Sequence, residues 1–243
     1  MIESRTSSKC LESIDVAILA GGLGTRIKSV LGDTPKVLAP IDGRPFLDIL
    51  LDQLQGFGAR RVVLCLGHLA KRVVDHIEVH PREDMEIVPV IEFEPLGTAG
   101  ALRLAREKVG SDPVMAMNGD TFVNTDLCRF VQAYRESKAG LGILCARVQD
   151  RERYASIEVD EAGVIRKFVE KNPELTGGGI VNAGVYLFSS AMLDTLVESS
   201  GPSLETDFLA TRPVGTVKAW IPDGGFIDIG TPESLLRASN GLH

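Results

Sequence analysis

What this chain lacks narrows its possible roles. Its apolar runs reach only six to eight residues before a charge, glycine or proline interrupts them, against the roughly 20 needed to cross a bilayer. Residues 1–13 are polar and mixed in charge, without the apolar centre of a secretory leader. They are expected to form a flexible extension ahead of a single domain over 14–243, in a cytoplasmic protein. Cysteine is scarce: Cys10, Cys65, Cys128 and Cys145 are widely spaced and form no C-x-x-C pair. Buried, reduced thiols are expected, not disulfides or zinc ligands. There is no cationic surplus either, because 26 Lys and Arg face 33 Asp and Glu for a net charge of −7. This argues against a nucleic-acid or anionic-membrane surface, so an anionic ligand must meet a local cluster of cations. No internal repeat, low-complexity tract or interdomain linker stands out.

What is present is an alternation. Buried-strand runs at 15–20, 61–66, 86–91, 113–117 and 142–146 are separated by helical periodicity at 45–57, 69–79, 98–109 and 126–137. Such alternation predicts an α/β, Rossmann-like, mostly parallel sheet with helices on both faces and ligands at the carboxyl ends of its strands. After residue 150 the texture changes. Segments 154–159 and 164–169 flank the acidic turn Asp160-Glu161-Ala162-Gly163, which reads as a small β insertion covering one side of the site. Strands at 181–188, 217–221 and 225–229 and a helix at 232–238 follow.

Directly after the first strand come Gly21, Gly22 and Gly24. Glycines there let the backbone turn sharply and aim N–H groups at phosphate oxygens, although a plain tight turn explains them equally well. A dinucleotide fingerprint fails because Ile27 occupies its third glycine position. A Walker A loop fails because Gly24-Thr25-Arg26 replaces G-K-[ST]. The loop instead carries its own cation, Arg26, and Lys36 follows on a turn stiffened by Pro35 and Pro40. Asp120 and Asp228 each end a strand and together suit one hard cation with phosphate oxygens, or else serve as a cap and a turn carboxylate. His68, His76, His80 and His243 lie outside every motif.

The run Leu19-Ala20-Gly21-Gly22-Leu23-Gly24-Thr25-Arg26 followed by Pro35-Lys36 resembles the signature of sugar-1-phosphate nucleotidyltransferases. Pro95 to Gly100, Asn118-Gly119-Asp120, Phe168 to Lys171, Asn182-Ala183-Gly184 and Ile227 to Pro232 continue the resemblance in the family's order. It implies transfer of a nucleoside monophosphate from a nucleoside triphosphate to a sugar 1-phosphate, with Mg2+ as cofactor and possible homo-oligomers. In that reading Leu19, Ala20, Gly21, Gly22, Gly24, Thr25, Glu92, Gly97, Thr98 and Gly119 bind the nucleotide. Asp120 and Asp228 carry the metal. Arg26 neutralises the departing pyrophosphate, and Lys36 bridges the α-phosphate and the nucleophile. Lys171 holds the sugar phosphate, with Glu170, Asn182 and Gly184 beside it, although Glu170 also fits an ion pair. The nucleophile is an already ionised phosphate oxygen, so no Ser, Cys or His needs activation.

Glu92 bears on the base, since a carboxylate accepts side by side from the N1–H and N2–H donors of guanine, whereas uracil or thymine suits an amide. A solvated acid is the alternative. The stretch resembles guanylyltransferases and, within them, short forms acting on D-glycero-α-D-manno-heptose 1-phosphate, which share the Arg153-Tyr154 pair. Mannose 1-phosphate enzymes, transferases for other bases and a nonenzymatic nucleotide-sugar sensor are the competing readings. Val37, Ala155 and Asn172 depart from frequent Pro, Gly and Pro, and Ala155 bears on the sugar side.

Overall fold

The computed structural model describes residues 9–152, 154–169 and 176–239. The strands are β1 Val16–Ala20, β2 Pro40–Ile41, β3 Arg44–Pro45, β4 Arg61–Leu66, β5 Glu86–Ile91, β6 Val114–Asn118, β7 Thr121–Asn124, β8 Leu141–Val148, β9 Ser156–Val159, β10 Ile165–Val169, β11 Gly179–Phe188, β12 Val217–Trp220 and β13 Gly225–Asp228. The helices are α1 Lys28–Leu31, α2 Phe46–Gly56, α3 Ala70–Val79, α4 Gly97–Ala105, α5 Leu127–Ser137, α6 Ser190–Glu198 and α7 Pro232–Ala238.

β5, β4, β1 and β6 run parallel, and the long β11 pairs antiparallel with β6 and with β8, which β12 joins in parallel. Period-2 alternation sorts the central strands between two cores. Val16, Ile18, Val62, Leu64, Met115 and Met117 face one core, while Ala17, Val63, Cys65, Val114 and Ala116 face the other. The apolar stripes of α2 (Phe46, Leu47, Leu50, Leu54) and α5 (Leu127, Phe130, Val131) close the first face, and α4 and α6 close the second. The α/β architecture with a mostly parallel sheet therefore stands.

Three expectations change. First, the hairpin of β9 and β10 continues the main sheet, through Ser156 beside Val181 of β11, while Tyr154 and Ala155 at its base line the second of the two cavities described below. Its acidic turn forms as expected, with Asp160 Oδ1 accepting from Val164 N at 2.8 Å and Ala162 N at 3.0 Å. Second, residues 9–13 are packed onto the body. Leu11 is fully buried and its N–H donates to Phe57 O at 3.1 Å. Third, Cys10 and Cys128 form a disulfide across 118 positions, whereas Cys65 and Cys145 are free and buried. Burial of Leu11 carries Cys10 to the first turn of α5, a tertiary pairing that sequence spacing does not announce. Among the described residues no helix is long and apolar enough to cross a membrane.

Candidate active site

The site begins with register. Ala20 pairs with Leu66, Leu66 with Ile91, and Leu19 with Asn118, so four parallel strands end on one row. The residues just beyond that row, Gly21, Gly67, Glu92 and Gly119, are brought side by side. Glu92 N–H donates to Leu66 O and Gly119 N–H to Leu19 O, both at 2.8 Å, which extends the ladder into the loops. These loops surround a cavity of about 440 Å³. All ten residues expected to bind the nucleotide line it, together with Arg26, Lys36 and Asp120.

Glycine is required where the walls meet. A Cβ on Gly21 or on Gly67 would lie 2.6 Å from Glu92 Oε1, so the carboxylate sits against both glycines where any side chain would displace it. Burial pushes the Glu92 carboxyl above the usual glutamate value, partly offset by the Leu96 N–H that its Oε2 accepts at 3.4 Å. On the opposite side Gly24 takes φ 60°, and Leu23, Gly24 and Thr25 N–H groups donate to no protein acceptor among the described residues. That arrangement leaves donors for an anion.

A second cavity of about 410 Å³ adjoins the first and shares Arg26, Asn118, Asp120 and Gly230 with it. Arg26 is exposed at this junction. Lys36 Nζ donates to Asp120 Oδ2. The β7–β13 pairing sets Asp228 opposite Thr121, the neighbour of Asp120, and Ile229 N–H donates to Asp120 O at 2.9 Å. The two expected metal carboxylates are thus held at one place, Asp228 by Tyr154 Oη at 2.6 Å and Gly230 N–H at 2.9 Å. Among the described residues no group of three or more His, Cys, Asp or Glu is arranged to hold a metal. A hard cation here would draw its remaining oxygens from phosphate and water.

Asn182 lines the second cavity, and Gly184, at φ 70°, admits the Asn118 side chain, since a Cβ there lies 2.4 Å from Asn118 Nδ2. Glu170, Lys171, Arg153 and Asn172 lie outside the described residues, as does His243. Sequence reasoning missed Gly67, Glu205, Ser203 and Thr206. Gly67 followed a strand as Gly21 does, which was an available signal. The other three sit on the short helical segment Leu204–Phe208 and the residue before it, where no motif had been recognised.

The geometry agrees with three comparisons. The nucleotidyl transferase profile matches residues 16–243. The D-glycero-alpha-D-manno-heptose 1-phosphate guanylyltransferase of Aneurinibacillus thermoaerophilus is 33% identical over 230 residues, covering 94% of this chain and 98% of that protein. Its counterpart in Campylobacter jejuni is 33% identical over 216 residues, covering 89% and 94%. The crystal structure of HddC from Yersinia pseudotuberculosis superposes with a TM-score of 0.84 at 34% identity, covering 95% of this chain and 100% of HddC. HddC complexed with GMP-PN gives a TM-score of 0.83 at 35% identity. With the family profile spanning both cavities, this chain belongs to the nucleotidyl transferase family.

Proposed function

We propose that this protein transfers GMP from GTP to D-glycero-α-D-manno-heptose 1-phosphate, releasing pyrophosphate. The carrying observation is the Glu92 carboxylate seated against Gly21 and Gly67 in the first cavity, an acceptor pair matched to the donor edge of guanine. The heptose guanylyltransferases similar to this chain over nearly its whole length, and the GMP-PN complex of HddC, support the same base and sugar.

In this reading the glycine-loop N–H groups and Arg26 hold the β- and γ-phosphates, and Lys36 reaches from Gly24 toward Asp120 to the α-phosphate. Asp120 and Asp228 fit one Mg2+, which when bound neutralises phosphate charge and fixes the triphosphate. The sugar phosphate lies in the second cavity. Its oxygen forms the bond to the α-phosphorus as the bond to the β-phosphate bridge oxygen breaks, and the electron pair leaves with pyrophosphate. Lys171 and Glu170 belong to the sugar-phosphate side on the strength of the family resemblance. Catalysis is placement and charge stabilisation without proton abstraction. A cytoplasmic location belongs to the same reading, on the ground that its nucleoside triphosphate donor is made there, although the Cys10–Cys128 disulfide does not follow from a reducing compartment.

The test offers Mg2+, each common nucleoside triphosphate and a panel of heptose, mannose and glucose 1-phosphates, with pyrophosphate as the readout. GTP with the heptose phosphate is expected to give the highest kcat/KM. Glu92→Gln is expected to cut the preference for GTP over UTP by about tenfold or more. A preference for UTP or dTTP overturns the guanine assignment, better turnover of mannose 1-phosphate overturns the sugar, and binding without pyrophosphate release restores the sensor reading.

A further inference from the structure

Between the two cavities runs a hydrogen-bonded chain that joins two motif residues, Asn182 and Thr98, through Tyr186 and Glu205, which no motif contains. Asn182 Nδ2 donates to Tyr186 Oη at 2.7 Å, and Tyr186 Oη donates to Glu205 Oε1 at 3.1 Å. Glu205 Oε2 accepts from Thr98 Oγ1 at 3.3 Å and from Ser203 Oγ at 3.4 Å, while Thr98 Oγ1 accepts from Leu204 N–H at 2.8 Å. Asn182 Oδ1 accepts from Gly184 N–H at 2.9 Å. Tyr186 is completely buried, whereas Asn182 and Glu205 both line the second cavity.

Counting donors and acceptors shows what is left over for a ligand. A carboxylate offers about four acceptor sites and three are used; the amide nitrogen of Asn182 has two protons and one is used. The carboxylate therefore presents one unspent acceptor, and Asn182 one unspent N–H beside a remaining lone pair on Oδ1, at fixed positions because buried Tyr186 holds one end of each side chain. A carboxylate acceptor beside an amide donor matches neighbouring hydroxyls of a sugar ring, one donating and one accepting. It does not match a ring position that is deoxygenated or alkylated, since the desolvated carboxylate would then lose its partner.

We propose that Glu205 is a specificity-determining residue for the sugar phosphate and that Tyr186 is its positioning residue. The proposal rests on the second cavity being the sugar side of the reaction described above. Burial and the neighbouring Glu205 carboxylate both raise the Tyr186 phenol well above its ordinary value, so it remains a neutral donor across the working range. Tyr186 touches no substrate, and its effect passes through Asn182 and Glu205.

The experiment measures steady-state kinetics of the full chain with GTP, Mg2+, the accepted sugar 1-phosphate and its monodeoxy analogues, for the wild type, Glu205→Gln, Tyr186→Phe and the double variant. Wild-type turnover establishes the underlying reading independently of the variants; its absence defeats that reading, not this assignment. Glu205→Gln is expected to reduce kcat/KM for the sugar phosphate at least tenfold and to reduce discrimination against one deoxy analogue. Tyr186→Phe, which keeps the ring volume, is expected to raise the sugar-phosphate KM about 5- to 30-fold with the GTP KM changed less than about twofold. The double variant is expected to be little worse than Glu205→Gln alone, because the two act as one unit. Unchanged discrimination in Glu205→Gln, or equal rises in both KM values in Tyr186→Phe, overturns the proposal. A purely structural tyrosine lowers Tm without splitting the two KM values.

Discussion

At the scale of single residues the site depends on what is missing from two glycines. A methyl group on Gly67 meets Glu92 Oε1 at 2.6 Å and Gly21 O at 2.7 Å. Gly67→Ala should therefore push the carboxylate out of its slot and raise the GTP KM by about fivefold or more, leaving the sugar-phosphate KM in place. The same carboxylate gives a pH signature. Its pKa is raised by burial, so protonation on acidification begins above the pH at which an ordinary glutamate titrates. The expected result is a fall in kcat/KM for GTP as pH drops through that raised value, a limb absent from Glu92→Gln. Stability has the opposite sign. The folded state binds the proton more tightly than the unfolded chain, so this group's contribution to stability falls as pH rises through the window and stays lower at neutral pH. Glu92→Gln should accordingly raise Tm at neutral pH while losing base preference; a lowered Tm would show that the charge is compensated by more than Leu96.

Among the elements, those with an unmixed period were legible. The runs at 61–66 and 86–91 match β4 and β5, and Pro232 to Ala238 matches α7, whose Thr231 and Ser234 form a reciprocal cap. β5 differs in setting: it is a sheet edge whose residues are all half-buried or exposed, which an apolar run alone cannot distinguish from a buried strand. β7, four residues long, and α6 were not foreseen. The first has meaning only through its pairing with β13, which places Asp228 beside Asp120. The segment Leu204–Phe208 was equally silent because its role comes from docking on α4: Pro202 O accepts from Ala99 N–H at 2.9 Å and Gly201 O from Arg103 Nη2 at 2.6 Å. Gly97 is the point of closest approach, at φ 72° with its imaginary Cβ 2.4 Å from Pro202 O. Gly97→Ala should cost at least about 1 kcal/mol, a Tm loss of roughly 2–4 °C in a chain of this size. Because it separates α4 from the Glu205 segment, both KM values should rise together, in contrast to Gly67→Ala; a rise in the GTP KM alone would mean that the docking does not reach the sugar cavity.

Across the whole molecule, the sheet carries both cavities on one edge, and the disulfide between Cys10 and Cys128 fastens the chain's first described turn to α5 on the core that backs them. The polar composition of residues 1–13 pointed to fraying, and Leu11, whose burial anchors the described residues 9–13, is too small a signal to outweigh its neighbours in sequence. Closing a loop of 118 positions removes enough chain entropy from the unfolded state to stabilise the fold by about 2–5 kcal/mol. Reductant should then lower Tm on the order of 10 °C, and Cys10→Ser should lower it similarly and abolish the response to reductant. Cys65 and Cys145 do not confuse the readout, since both are buried and burial pushes the Cys65 thiol up to about 12. Turnover at 25 °C should be unaffected, because Asp120 and Asp228 are aligned by the β7–β13 ladder and not by the crosslink. A loss of kcat on reduction with Tm unchanged would instead make the pair a switch acting through α5 on the strand that precedes it.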